Sequence, residues 1–106
     1  MPKYMIQASY SVDGLKGLLS EGGTSREAAA RKLIEGVGGT LESLYFTFGG
    51  DDVVAICDVP DNVSIAAAAM TIAATGAIQP RTTVLLTPAD IDAAAKKSVD
   101  YRPPGG

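Results

Sequence analysis

Histidine is absent from the chain and cysteine occurs once, at position 57. An intrachain disulfide is therefore impossible, and zinc sites of the usual Cys/His type lack ligands. A Ser-His-Asp triad, a Cys-His dyad and a His-ligated haem are excluded as well. Acid–base chemistry near neutral pH would fall to a carboxylate, Tyr, Lys or Cys with a shifted pKa. A basic stripe is also missing. Lys16, Arg26, Arg31, Lys32, Lys96 and Lys97 are dispersed among acids, the net charge is −3 and the pI is about 4.7, so nucleic acid is not an expected partner. The longest apolar-leaning run, Ile65 to Ile78, is broken by Thr71, Thr75 and Gly76. It is too short to span a bilayer, and no membrane partner is expected. The opening MPKYMIQASYS lacks the apolar stretch of a secretory leader, which makes the cytosol the expected compartment.

What is present fits one soluble domain: 106 residues, 46% apolar and 20% charged. Residues Lys3 to Tyr10 alternate, with Tyr4, Ile6, Ala8 and Tyr10 on one face and Met5, Gln7 and Ser9 on the other, as in a strand. Val12, Leu15, Leu18 and Leu19 follow at helical spacing up to Gly22-Gly23. TSREAAARKLIEGVGG predicts a second helical piece, with Thr24 and Glu27 as a capping box and Gly38-Gly39 as its end. The spacing admits one bent helix or two short ones. Thr40 to Phe48 predicts strand 2, with Leu44, Phe46 and Phe48 on one face. Beyond Gly49 to Asp52, VVAICDV reads as a central strand stopped by Pro60. Asp61 caps an alanine-rich helix closed by Gly76. AIQPRTTVLL predicts strand 4, where Pro80 marks an edge or a bulge. Thr87 and Pro88 then begin a short last helix. The order β-α-β-β-α-β is ferredoxin-like, an α+β fold with a four-stranded antiparallel sheet and helices on one face. The expected domain covers residues 1–97, with an extended tail over 98–106.

Helices on one face leave the other uncovered. Met5, Gln7, Ser9, Tyr45 and Thr47 are expected there if Tyr4, Ile6, Leu44, Phe46 and Phe48 meet the helices. Alternation leaves open which set of strand 4 joins them, Arg81 and Thr83 or Thr82 and Val84. On strand 3 both sets, Val54 and Ile56 or Val53, Ala55 and Cys57, are partly apolar. Such a face predicts self-association as a homodimer or higher homo-oligomer, a small-molecule pocket, or both. Gln7, Ser9, Tyr45 and Arg81 form the expected ligand-binding group, because Arg suits a carboxylate or phosphate and a few polar groups on an apolar wall make a pocket. Lys16 is a second candidate for an anion.

Gly49-Gly50-Asp51-Asp52 is the most site-like stretch. Adjacent strand-like carboxylates point apart, and no spaced acidic set surrounds them, so no metal site is expected. Gly50, Asp51 and Asp52 are expected to form a turn. Cys57, in an apolar strand and next to Asp58, is expected to be an unreactive core residue. No phosphate-binding glycine motif occurs, and no cofactor is expected. Tyr101 in YRPPGG belongs to a tail that either frays or docks on a neighbouring subunit.

The stretches GLKGLL, TSREAAARKLIEGVGGTLES, YFTFGGDDVVAICDVPD and AIQPRTTVLLT together resemble the GYD domain family, small bacterial proteins of the dimeric α/β-barrel superfamily. The resemblance covers nearly the whole chain. The family's Gly-Tyr-Asp triplet falls at Gly50-Asp51-Asp52, where the aromatic is replaced and the final Asp is kept. The resemblance implies a fold and a sheet-to-sheet dimer rather than a reaction. The expected function is an oligomeric small-molecule-binding or assembly module without catalysis of its own. The alternative is a cofactor-independent barrel enzyme, oxygenase- or isomerase-like, acting on a small anionic or aromatic compound through Tyr45, Arg81 and Asp58.

Overall fold

The computed structural model describes all residues, Met1–Gly106. The strands are β1 (Lys3–Tyr10), β2 (Thr40–Phe46), β3 (Val53–Asp58) and β4 (Ile78–Leu85); the helices are α1 (Val12–Glu21), α2 (Gly23–Gly36), α3 (Asn62–Ala74) and α4 (Pro88–Ala95). The sheet order is β2-β3-β1-β4 with every neighbouring pair antiparallel. This is the ferredoxin-like arrangement. β3 is interior, as its apolar run predicts, and Pro80 lies on the edge strand β4, where its missing N–H leaves no interior ladder bond unmade.

Period-two alternation sets the core. Tyr4, Ile6 and Ala8 are buried, and their cross-strand partners on β3 are Cys57, Ala55 and Val53. Ile34 of α2 and Ile65 and Ala68 of α3 close over this face. β2 carries a bulge between Leu41 and Ser43. Two leucines three positions apart would normally point to opposite faces; the extra residue, Glu42, turns both Leu41 and Leu44 toward the helices. The Tyr4 hydroxyl donates to Asn62 Oδ1 at 2.6 Å, which ties β1 to the first residue of α3.

Two sequence expectations fail here. Thr24 and Glu27 form no capping box: α2 begins at Gly23, its N-cap is Gly22, and no side chain caps it. Gly22 has φ +88°, which suits only glycine, and makes the abrupt joint that splits α1 from α2. Phe48 does not face the helices. β2 stops at Phe46, and Phe48 stands fully exposed in the following loop. The other caps are as expected. Asp61 accepts from the Ser64 N–H at 2.8 Å, which lowers its pKa below the usual carboxylate range. Thr87 and Asp90 form the capping box of α4.

Every residue from Leu86 to Gly106 is exposed, α4 included. The radius of gyration is 16.9 Å, with extents of 56 × 32 × 23 Å. A compact chain of this length would have a radius of about 13 Å. The C-terminal segment therefore projects from the body. Residues Ser98 to Gly106 contain neither helix nor strand.

Candidate functional site

Strand register decides the composition of the uncovered sheet face. Because cross-strand partners share a face, Gln7 lies between Val54 on β3 and Arg81 on β4, and Val54 pairs in turn with Tyr45 on β2. Tyr45, Val54, Gln7 and Arg81 thus form one row across all four strands. The next row is Ser43, Ile56, Met5 and Thr83. The choice left open by alternation falls to Arg81 and Thr83. The four expected ligand-binding residues all lie on this face, but they do not converge within one chain. Tyr45 and Arg81 stand three strand spacings apart, about 14 Å.

The centre of the face is apolar: Met5, Val54 and Ile56. Its two ends carry charge. At one end Lys3 binds both Glu42 and Asp58, the latter at 3.1 Å, and these carboxylates raise the lysine's pKa. At the other end Arg81 pairs with Asp51, which also accepts from Ser9 Oγ at 3.4 Å. Arg81 is 66% exposed and Asp51 only 18%. A shallow depression of about 360 Å³ lies beside them, lined by Ser9, Asp51, Gln79 and Arg81 among others.

The loop from Thr47 to Asp52 gives its two carboxylates different work. Asp52 accepts from the Tyr10 N–H at 2.8 Å, while its own N–H donates to the Ala8 carbonyl at 2.9 Å. It holds the loop onto the end of β1. Asp51 instead reaches across to β4. Thr47 closes the turn, its hydroxyl donating to the Asp51 carbonyl at 2.6 Å and its N–H to the Asp52 carbonyl at 2.8 Å. Gly50 has open space around it. No three His, Cys, Asp or Glu side chains gather as metal ligands. Lys16 is exposed on α1 and makes no ion pair.

A family model matches residues 4–95, from Tyr4 in β1 to the last residue of α4. The chain belongs to the GYD domain family. No curated protein matches it. In this GYD domain the stretch Gly50-Asp51-Asp52 lies in the loop just described. Asp51, in the middle of that stretch, supplies the carboxylate that pairs with Arg81.

Cys57 is fully buried, and burial pushes its thiol up to about 11. It is a protonated core residue at neutral pH and offers no nucleophile. No helix is long and apolar enough to cross a membrane. One feature lay beyond sequence reasoning. An apolar cavity of about 100 Å³ sits on the helical side of the sheet, with Arg26 on its wall. The only sequence signal for it is the run of small residues Ala28-Ala29-Ala30, which also serves simply as good helix former.

Proposed function

We propose that this GYD domain is a cytosolic self-associating module that covers its open sheet face with another copy of itself and encloses a small molecule there, without catalysis of its own. The observation that carries the reading is the layout of that face: an apolar centre of Met5, Val54 and Ile56, with ion pairs at both ends. That is how interfaces are built, dry in the middle and polar at the rim. A second copy satisfies such a face reciprocally through a two-fold axis.

Two further features support self-association. Only ten of 106 residues are buried in the single chain, a small core for its length, so the chain has apolar surface left to place. The segment from Leu86 to Gly106 exposes Leu86, Ile91, Val99 and Tyr101. An eight-residue helix has little stability alone, and another copy would give the exposed α4 a surface to pack on. The enzymatic alternative asks Tyr45, Arg81 and Asp58 to meet one compound. In a single chain the first two are far apart, and Lys3 already engages Asp58.

The test is Ile56→Lys, read by light scattering. Ile56 sits mid-face on the interior strand β3, so a lysine there places a charge in the dry centre. The variant is expected to run at the mass of one chain with an unchanged far-ultraviolet dichroism spectrum. An unchanged oligomer would overturn the sheet-face interface.

A further inference from the structure

Behind the sheet, away from the open face, the apolar layer is not filled. The cavity of about 100 Å³ lies between α2, α3 and the sheet, and fifteen of its seventeen lining residues are apolar. Its walls include short side chains: Ala8 and Ala55 from the sheet, Ala29 and Ala30 from α2. Protein interiors are normally close-packed, and an empty apolar void forfeits the contacts its walls would otherwise make. The cavity is also not sealed. Tyr10, Arg26, Ala29, Leu33, Ile72 and Ile78 line both it and a surface cleft of about 410 Å³ among α1, α2 and α3.

Arg26 is the only charged residue on the cavity wall, and it stands at the passage between the two spaces. Its guanidinium offers five N–H donors in a planar fork. Those donors make no hydrogen bond within the chain, and the nearest carboxylate, Glu21 on α1, lies at 3.8 Å. We infer that this cavity binds a small monocarboxylate with an aromatic or branched apolar body, the body inside and the carboxylate on Arg26. Size sets the body: a cavity of about 150 Å³ lined by apolar groups takes benzene, so this one, open toward the cleft, takes a single ring or a branched chain no larger. Charge sets the head group. Asp13 and Glu21 also line the cleft; a dianion such as a phosphate monoester meets two like charges there. A single carboxylate forms the bidentate pair that Glu21 does not make. The site is on the opposite side of the sheet from Gln7, Ser9, Tyr45 and Arg81, and it stands whether or not the open face encloses a ligand.

The experiment titrates the full chain with benzoate, and with benzamide as its neutral counterpart, following methyl resonances and heats of binding. Benzoate is expected to saturate and to shift the methyl signals of Ala30, Ala55 and Ile34. Benzamide is expected to bind about tenfold or more weakly, the worth of a charge-assisted hydrogen bond. Arg26→Gln, at a side chain 31% exposed and outside the core cluster, should bring benzoate down to the level of benzamide. Ala30→Leu, which fills the cavity, should abolish both. Saturable benzoate binding that survives Arg26→Gln but is lost in Arg81→Ala would overturn this site while sparing a ligand on the open face. An absence of saturable binding would overturn it too, and would leave self-association, which is read by mass, untouched.

Discussion

Asp51 and Asp52 are neighbours in the chain with separate physical roles. The Asp52 carboxylate satisfies the half-buried N–H of Tyr10, so Asp52→Ala leaves a backbone donor without a partner. The expected loss is about 1–2 kcal/mol by chemical denaturation. Asp51 serves an arginine that is mostly in water, and Asp51→Ala is expected to change single-chain stability by less than about 0.5 kcal/mol. Equal effects would contradict the division. The sequence showed both residues as turn-formers and could not rank them, because a turn signature is blind to what the side chains reach across the sheet. Cys57, by contrast, was legible: an apolar strand, no histidine in the chain and Asp58 next to it predict an inert thiol. Its consequence is a dependence on alkaline pH. Below its ordinary value of 9.0 the thiol is protonated whether the chain is folded or not, and contributes no slope. Between there and about 11 the unfolded chain releases the proton while the folded one keeps it, so stability falls as pH rises through that window. Cys57→Ala is expected to flatten that part of the profile, and a slope identical to the parent's would count against the buried-thiol assignment.

Among the elements, the existence and order of helices and strands followed from periodicity, whereas strand register came only from the pairing. What periodicity could not supply was the bulge at Glu42 or the true start of α2, where a plausible Thr24/Glu27 pattern lost to the backbone freedom of Gly22. Glycines of α1 give a direct check on helix placement. A Cβ on Gly14 would lie 2.2 Å from the carbonyl oxygen of Ala77, whereas Gly17 has open space. The Ala77 carbonyl also accepts from the Ser11 N–H at 2.9 Å, so it cannot simply move aside. Gly14→Ala is therefore expected to destabilise by about 1–3 kcal/mol. Gly17→Ala should stabilise by up to about 1 kcal/mol through helix propensity alone. Denaturation midpoints that moved in the same direction would place α1 elsewhere. The alanines of α2 show the limit of element-level reading: their helix propensity was evident, but the space they leave behind the sheet depends on what faces them.

For the molecule as a whole, the open face and the projecting C-terminal segment make the same demand. The face made by the row Tyr45, Val54, Gln7 and Arg81 and the row Ser43, Ile56, Met5 and Thr83, together with an exposed α4, are two surfaces that one chain does not cover. The sequence foretold the face through alternation, although alternation alone could not assign Arg81 to it; pairing with Gln7 did. The central claim is that these surfaces are completed by another copy, and the most direct measurement is absolute mass by sedimentation equilibrium across a wide concentration range. Self-association predicts at least twice the 10.8 kDa chain mass at micromolar concentration, falling toward one chain only on strong dilution. A mass of one chain at every concentration would contradict it.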